Sequence, residues 1–236
     1  MERNLLLAIM PEDERRRISP CCESITLESR MTLCEPDEPI SHAWFLQSGV
    51  CSALAHTRSG EAVEVGLIGR EGMVGLPLVL GETSSPFHVI VQLPGTATRI
   101  PREVFVQRAL DPGHAFCGAL LKFANLYLGT VAQTAVCNRL HRIEQRLARW
   151  LLEMYDRADT DVLPMTHELL GLMLGAYRPS ITNAVKALQD RDILRAARGR
   201  IAILDVRALE QEACECHELI RSRTARTLKE IRRFAA

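Results

Sequence analysis

The feature that most constrains the fold is residues 164–205, where two short helices, a tight turn and a basic hairpin are predicted in succession. Thr166 can cap the first helix, because its side-chain oxygen can accept a hydrogen bond from an unpaired backbone N–H. Gly175 fits a left-handed helix stop, and Pro179 fits the first turn of the second helix, where a missing N–H costs little. This order of elements is typical of a winged helix-turn-helix.

The second helix has one apolar and one polar face. Ile181, Val185 and Leu188 recur at helical spacing and form a buried stripe. The other side carries residue types that suit DNA, because Arg and Asn read base edges whereas Lys and hydroxyl groups hold phosphates. The predicted interface on this helix consists of Arg178, Thr182, Asn183 and Lys186, and the hairpin adds Arg195, Arg198 and Arg200.

The charge distribution supports this interpretation. The whole chain has a formal net charge of zero, but residues 178–200 contain six basic residues and two acidic ones. A helical hairpin with a solvated charged face would show the same periodicity. The combination of a glycine turn, a prolyl helix start, a polar exposed face and a basic hairpin favours DNA binding.

Residues 166–205 resemble the C-terminal half of the Crp/Fnr family of bacterial transcription regulators. The resemblance implies that Arg178 reads a base, that His167 contacts a phosphate, and that Ser180 is a small hydroxyl residue of the interface. With the capping Thr166, these residues complete the predicted DNA-binding set. Asn183 stands where the cyclic-AMP receptor of that family has a second base-reading Arg, and Pro179 where Glu is common. The operator sequence therefore cannot be transferred.

The first hundred residues contain short apolar runs separated by turn signals, which favours an antiparallel sandwich or barrel. The segments WFLQSG, RSGE and GREGMVG resemble the β-roll of cyclic-nucleotide-binding domains. We therefore predict an α+β fold: an N-terminal antiparallel β-roll of the double-stranded β-helix or jelly-roll type, a long central dimerisation helix and a C-terminal winged helix-turn-helix. The predicted domains are residues 1–112, 113–156 and 157–236, the last with a basic extension over residues 221–236. This extension either touches DNA phosphates, which its uncompensated positive charge favours, or only keeps the end of the chain soluble.

The effector pocket departs from the family pattern. A cyclic nucleotide needs a Glu for the ribose and an Arg–Ser pair for the phosphate, and burying that phosphate without a paired cation is costly. The corresponding steps here are Gly75–Leu76 and Ser85–Pro86, and neither provides a charge. We expect the pocket at Gly75, Leu76 and Ser85 not to bind cyclic AMP in the usual way. Either apolar side chains fill it, or it takes an unidentified ligand.

Residues 114–154 lack proline, and no charged residue lies between Lys122 and Arg139, which favours a long self-associating helix. The following residues form its predicted apolar stripe: Phe116, Leu120, Phe123, Tyr127, Val131, Thr134 and Asn138. The same residues could pack on the chain's own β-domain. The family resemblance implies a homodimer, with double-stranded DNA and RNA polymerase as further partners.

The cysteines offer an alternative sensor, a redox- or iron–sulfur-responsive regulator using Cys21, Cys22, Cys34 and Cys51. Their spacing lacks the short Cys-x-x-Cys step of such sites, so we expect no iron–sulfur cluster. Cys214, Cys216 and His217 resemble a metal triplet, but these positions do not converge on a helix. We therefore expect no metal and no other cofactor.

Other classes of protein are disfavoured. The chain lacks a nucleophile elbow, a phosphate loop and a zinc-protease motif, so we expect no enzyme and no catalytic residues. It shows no secretory signal and no apolar segment judged long enough to span a membrane, so a cytoplasmic location without a membrane partner is expected.

Overall fold

A computed structural model describes residues 3–110, 113 and 115–233. The N-terminal half folds into two four-stranded antiparallel sheets, and a three-stranded sheet lies near the C-terminus. The strands are β1 (Glu23–Leu27), β2 (Thr32–Cys34), β3 (His42–Leu46), β4 (Val50–His56), β5 (Ala62–Ile68), β6 (Met73–Val74), β7 (His88–Leu93), β8 (Gly95–Pro101), β9 (Val162–Leu163), β10 (Leu194–Ala197) and β11 (Arg200–Ile203).

The two larger sheets form the predicted β-roll. Their strand orders are β1-β8-β3-β6 and β2-β7-β4-β5, so strands distant in sequence lie side by side. Phe45, Met73 and Ile100 are fully buried in the core that the sheets share with the following helices. Apolar side chains that leave water here supply most of the stabilisation of the domain.

The described helices are α1 (Glu12–Ile18), α2 (Arg102–Ala109), α3 (Ala115–Leu140), α4 (Ile143–Tyr155), α5 (His167–Leu174), α6 (Arg178–Gln189), α7 (Val206–Glu212) and α8 (Cys216–Arg232). Short 3-10 helices span Leu7–Ile9, Ser19–Cys21 and Leu76–Leu80. The predicted α+β architecture, with a β-roll, a long helix and a winged helix-turn-helix, is confirmed.

The predicted continuous helix over residues 114–154 is wrong in one respect. The helix is interrupted between α3 and α4, where Arg142 adopts an extended backbone conformation. His141 and Arg142 therefore form a joint between the β-roll side and the helix-turn-helix side of the molecule. Residue 114 and the predicted domain boundary at residue 112 lie outside the described residues.

The apolar stripe predicted for association along α3 packs mainly on the chain's own β-roll. Phe116, Leu120, Phe123 and Tyr127 belong to the β-roll core. A second stripe remains exposed along α3, at spacings of three and four residues, and we call it the α3 stripe: Leu121, Asn125, Leu128, Ala132, Val136 and Leu140. Both faces of α3 are thus largely apolar, which explains why no charged residue lies between Lys122 and Arg139.

By length and composition, α3 could also cross a membrane, and it is the one helix in the described ranges with this property. The expectation that no segment is long enough was wrong on this point. Half of its most apolar 18-residue window is buried inside the structure.

The basic C-terminal residues form most of α8, which packs along α3. Ile231 is buried in the β-roll core, and Lys122 on α3 lies 2.8 Å from the Glu230 carboxylate. Arg221 pairs with Glu210 and Glu218. One side of α8 is thus held against the long helix, while Arg226, Lys229, Arg232 and Arg233 stay exposed on it or directly after it, and a contact between this extension and DNA phosphates stays a prediction. Residues 234–236 lie outside the described chain.

Candidate nucleic-acid interface

The α5–α6 pair forms through the local signals that the sequence contains. The Thr166 hydroxyl accepts a hydrogen bond from the Leu169 backbone N–H at 3.1 Å and caps α5. Gly175 ends that helix with φ of 54°, a left-handed conformation that glycine adopts without strain. A side chain at Gly171 would lie 3.1 Å from the Ala176 carbonyl oxygen, so glycine also lets the turn close tightly.

The two faces of α6 are separated as predicted. Ile181, Val185 and Leu188 are buried against the rest of the domain. The exposed side chains on the opposite side include Arg178, Thr182, Asn183 and Lys186, whereas Ser180 is half-buried in the first turn.

One pair of predicted contact residues bridges the two helices. His167, the first residue of α5, places its Nδ1 atom 3.1 Å from the Thr182 hydroxyl oxygen. The Thr182 hydroxyl also donates to the Arg178 carbonyl oxygen at 3.2 Å. These bonds fix the first helix against the N-terminal half of α6, which is the end that carries Arg178.

The wing is the β10–β11 hairpin. Its turn consists of Arg198 and Gly199, both with positive φ, which is the geometry of a tight two-residue hairpin. The apolar pattern of the sequence predicts the two strands at residues 193–195 and 201–204. In the structure they span Leu194–Ala197 and Arg200–Ile203, so Arg200 opens β11. Arg195, Arg198 and Arg200 are all exposed. The wing tip meets α5, because a side chain at Gly199 would lie 3.4 Å from the Thr166 methyl group.

The exposed charges of this surface are uncompensated within the described chain. None of the following five residues forms an ion pair with a described acidic side chain: Arg178, Lys186, Arg195, Arg198 and Arg200. Arg191, in contrast, pairs with Glu212 at 2.7 Å. Five free cations around one exposed helix face form a surface suited to a polyanion.

The helix-turn-helix also contacts the β-roll. A side chain at Gly175 would lie 3.0 Å from a Val63 methyl group on β5, so the turn between α5 and α6 rests on the β4–β5 hairpin. Arg146 on α4 donates a hydrogen bond to the Leu174 carbonyl oxygen at the end of α5. A movement of the β4–β5 hairpin or of α4 would therefore displace the turn between α5 and α6, which sets the direction of α6.

The predicted effector residues occupy two neighbouring segments. Gly75 has φ of 97° and precedes the 3-10 helix that begins at Leu76. Ser85 is buried, and its hydroxyl accepts a hydrogen bond from the Phe87 backbone N–H at 3.1 Å. The Ser85 hydroxyl thus already serves as a hydrogen-bond acceptor within the chain.

A groove of about 370 Å³ lies between this 3-10 helix and α3. Leu76 lines it, together with Leu80 and Phe87 on one wall and Leu121 and Leu128 on the other. No charged side chain is among its described lining residues. Arg99, a basic residue of β8, pairs with Glu23 at 2.6 Å.

The four cysteines of the alternative sensor do not form a described metal-binding group. Cys34 and Cys51 are buried in separate strands, and burial raises the pKa of both thiols above the usual range. A different group converges instead: Cys214 and Cys216 meet Cys137 and His141. Cys137 and His141 were not predicted as ligands from the sequence, although their spacing of four residues is that of side chains on one face of a helix.

His217 does not belong to this group. Its Nε2 atom lies 3.1 Å from a carboxylate oxygen of Asp156. The three residues that resemble a metal triplet in the sequence, Cys214, Cys216 and His217, therefore do not converge on one point. Its two cysteines lie on one side of the start of α8, and the histidine faces the end of α4.

Two family models match the chain. Residues 25–110 match the cyclic nucleotide-binding domain, and residues 145–212 match the Crp-like helix-turn-helix domain. Together the two ranges cover well over half of the sequence. Comparison with curated protein sequences gives no match.

Solved structures share the whole architecture. A putative transcriptional regulator of the Crp/Fnr family from Eubacterium rectale is 19% identical, covering 87% of this chain and 96% of its own, with a TM-score of 0.68. FixK2 from Bradyrhizobium japonicum is 16% identical, covering 82% and 98%, with a TM-score of 0.68. CLP from Xanthomonas campestris, a regulator responsive to c-di-GMP, is 16% identical, covering 82% and 99%, with a TM-score of 0.63. At these identities the likeness shows the fold.

Proposed function

Because the chain belongs to the Crp/Fnr family of DNA-binding transcription regulators, we propose that it binds a near-palindromic operator as a homodimer. Each copy would place α6 in the major groove and rest its wing on the adjacent phosphates. The two half-sites would then lie one helical turn apart, which is about 34–36 Å.

The observation that carries the proposal is the exposed and unpaired basic surface around α6. Arg178 and Asn183 would contact base edges, because a guanidinium matches guanine and a carboxamide matches adenine. Lys186 and the wing arginines would contact phosphates, and Thr166, His167, Ser180 and Thr182 would complete the interface at the helix N-termini. The hydrogen bond between His167 and Thr182 would keep these groups in register.

The α3 stripe supports self-association. Leu128 and Leu140 expose 67% and 70% of their surface. Within the stripe, the exposed positions 121, 125, 128 and 132 follow the alternating steps of four and three residues by which two parallel helices interlock. The same stripe forms one wall of the groove beside the 3-10 helix, so α3 of a second copy would cover both. A second copy of the chain is therefore the occupant that fits this surface.

The sensor domain would respond to a signal other than cyclic AMP. Its groove offers apolar side chains where a cyclic phosphate would need a cation, and this favours an apolar effector or direct coverage by the partner copy. A signal would act by favouring one arrangement of the two α6 helices over another. The hairpin contact at Gly175 gives a route for that coupling.

The remaining assignments follow from the family. The protein would act in the cytoplasm, contact RNA polymerase at promoters and catalyse no reaction. Its known structural neighbours named above are regulators.

In-vitro selection from a random duplex library, without added ligand, tests the proposal. We expect enrichment of a palindrome with half-sites one turn apart. Arg178→Ala should lower affinity for that site by about 1–3 kcal/mol. Arg207→Ala is the matched control, because Arg207 is exposed on α7 outside the proposed surface. Equal losses in the two variants would contradict the assignment, as would the absence of an enriched sequence both without ligand and when cell extract is added as a source of the signal.

A further inference from the structure

The residues Cys137, His141, Cys214 and Cys216 converge from two distant parts of the chain. One ligating atom from each residue lies within 4.8 Å of all the others. The Cys137 and Cys214 sulfurs are 3.5 Å apart, and the Cys216 sulfur is 3.6 Å from Nδ1 of His141. We propose that this Cys₃His group is a structural zinc site.

The spacing fits a single tetrahedral ion. Zinc lies about 2.3 Å from sulfur and about 2.0 Å from nitrogen, so its ligand atoms lie about 3.5–3.8 Å apart. The two measured separations match edges of that tetrahedron. An iron–sulfur cluster would hold its ligands much farther apart, because several iron and sulfide ions separate them.

Local structure explains why the four side chains meet. Cys137 lies in the last turn of α3, and His141 directly follows the helix. The His141 backbone N–H still donates to the Cys137 carbonyl oxygen at 3.1 Å, so the two side chains keep the four-residue helical spacing that places them on one face. Cys214 lies in the turn after α7, where the backbone is extended at Ala213, and Cys216 is the first residue of α8. The two cysteines are therefore not helical neighbours, and the turn directs both sulfurs to the same point.

The surroundings provide the outer contacts that a bound ion needs. Nε2 of His141 lies 3.2 Å from a Glu215 carboxylate oxygen, which leaves Nδ1 to face the sulfurs. Such a carboxylate partner orients a ligating imidazole and strengthens it as a ligand. The Gln133 amide donates to the Cys216 sulfur at 3.1 Å and would stabilise a thiolate. The three cysteines are buried, so the site is closed to substrate.

The site is a property of this chain rather than of the matched domains. All four residues lie outside residues 25–110 and 145–212. These residues connect the segment between α3 and α4 with the start of α8. A bound ion would therefore fix the joint between the β-roll side and the helix-turn-helix side. Binding would convert three thiols to thiolates and release their protons to solvent.

Metal analysis of the untagged full-length protein, purified under reducing conditions, tests the proposal. We expect about one zinc ion per chain by mass spectrometry. Cys216→Ser should lower this to below about a tenth of an ion per chain, because structural zinc sites need all four ligands. Cys51→Ser is the matched control, since Cys51 is a buried cysteine of β4 outside the group, and it should keep its zinc.

A second measurement covers the case in which Cys216→Ser fails to fold. Metal-stripped wild-type protein should bind one equivalent of Co²⁺ and develop the visible and near-ultraviolet bands of a tetrahedral cobalt thiolate. Absence of both zinc and these cobalt bands would overturn the proposal. So would iron accompanied by sulfide, zinc retained in a folded Cys216→Ser variant, or a Cys137–Cys214 disulfide in the reduced preparation.

Discussion

The carboxylate of Glu64 accepts a hydrogen bond from the indole N–H of Trp150 at 2.8 Å, and both residues are buried. Glu64 lies on β5 of the β-roll and Trp150 lies on α4, so the bond joins the sensor to the helix that precedes the DNA-binding domain. The Ser52 hydroxyl donates to the other Glu64 oxygen at 2.6 Å. Burial raises the pKa of Glu64 to about 7, although the bonds from Ser52 and Trp150 act in the opposite direction.

This raised pKa predicts a pH-dependent stability. The folded protein holds the Glu64 proton more tightly than the unfolded chain, so this residue makes stability fall as pH rises from about 4.5 to about 7. Glu64→Gln should remove this dependence and raise the free energy of unfolding at pH 8 by up to about 3 kcal/mol, since one pKa unit corresponds to about 1.4 kcal/mol and the rise is about 2.5 units. Urea unfolding followed by circular dichroism at pH 5 and pH 8 measures the effect.

Glu61→Gln is the control for that experiment, because Glu61 is exposed in the loop between β4 and β5. The difference in free energy of unfolding between Glu61→Gln and the wild type should be the same at pH 5 and pH 8. If Glu64→Gln behaved in the same way, the buried carboxyl would not be the source of the pH dependence.

The α3 stripe predicts a second outcome. Leu128→Glu would place a charge in the proposed helix–helix contact, where it would have no described partner, and should convert the dimer to a monomer at micromolar concentration. Leu204→Glu is the matched control, because Leu204 is 48% exposed but lies beyond the wing. Sedimentation velocity distinguishes the two states. A monomeric wild type would contradict the proposed homodimer, and a dimeric Leu128→Glu variant would place the dimer contact elsewhere.

The helix-turn-helix was predictable in detail because local chemistry determines it. A capping Thr166, a left-handed Gly175 and an early Pro179 each act on the few residues around them. The same reasoning located the exposed face of α6, since helical periodicity separates it from Ile181 and Val185. Only the wing strands shifted, as element ends commonly do.

Contacts over long sequence distances were not predictable in this way. The sequence shows that α3 is apolar, but not which of its faces packs on the β-roll, and Phe123 and Leu128 are equally good candidates for either side. Cys137 and Cys214 are 77 residues apart, and nothing local indicates that their sulfurs meet. The assumption that Cys214 and Cys216 share a helix hid the site, because the turn before α8 is extended.

The uncharged groove predicts that cyclic AMP does not bind in its usual mode. Isothermal calorimetry with the purified dimer should show no saturable heat at nucleotide concentrations up to about 1 mM, which corresponds to a binding free energy weaker than about −4 kcal/mol. The physical reason is that the groove offers no cation to the phosphate. Saturable binding at micromolar concentration would require a cation from outside the described lining residues.

The wing predicts a change in salt dependence. Each phosphate contact made by an arginine releases condensed counterions. The loss of one such contact makes the negative slope of log K against log salt shallower by about 0.9. Arg195→Ala and Arg200→Ala should each cause such a loss on specific and random duplexes alike, because both residues are exposed and unpaired on the hairpin strands. Arg178→Ala should instead weaken binding mainly on the specific site. Fluorescence anisotropy at several salt concentrations separates the two patterns. Equal slopes for wild type and wing variants would show that the wing does not touch the backbone.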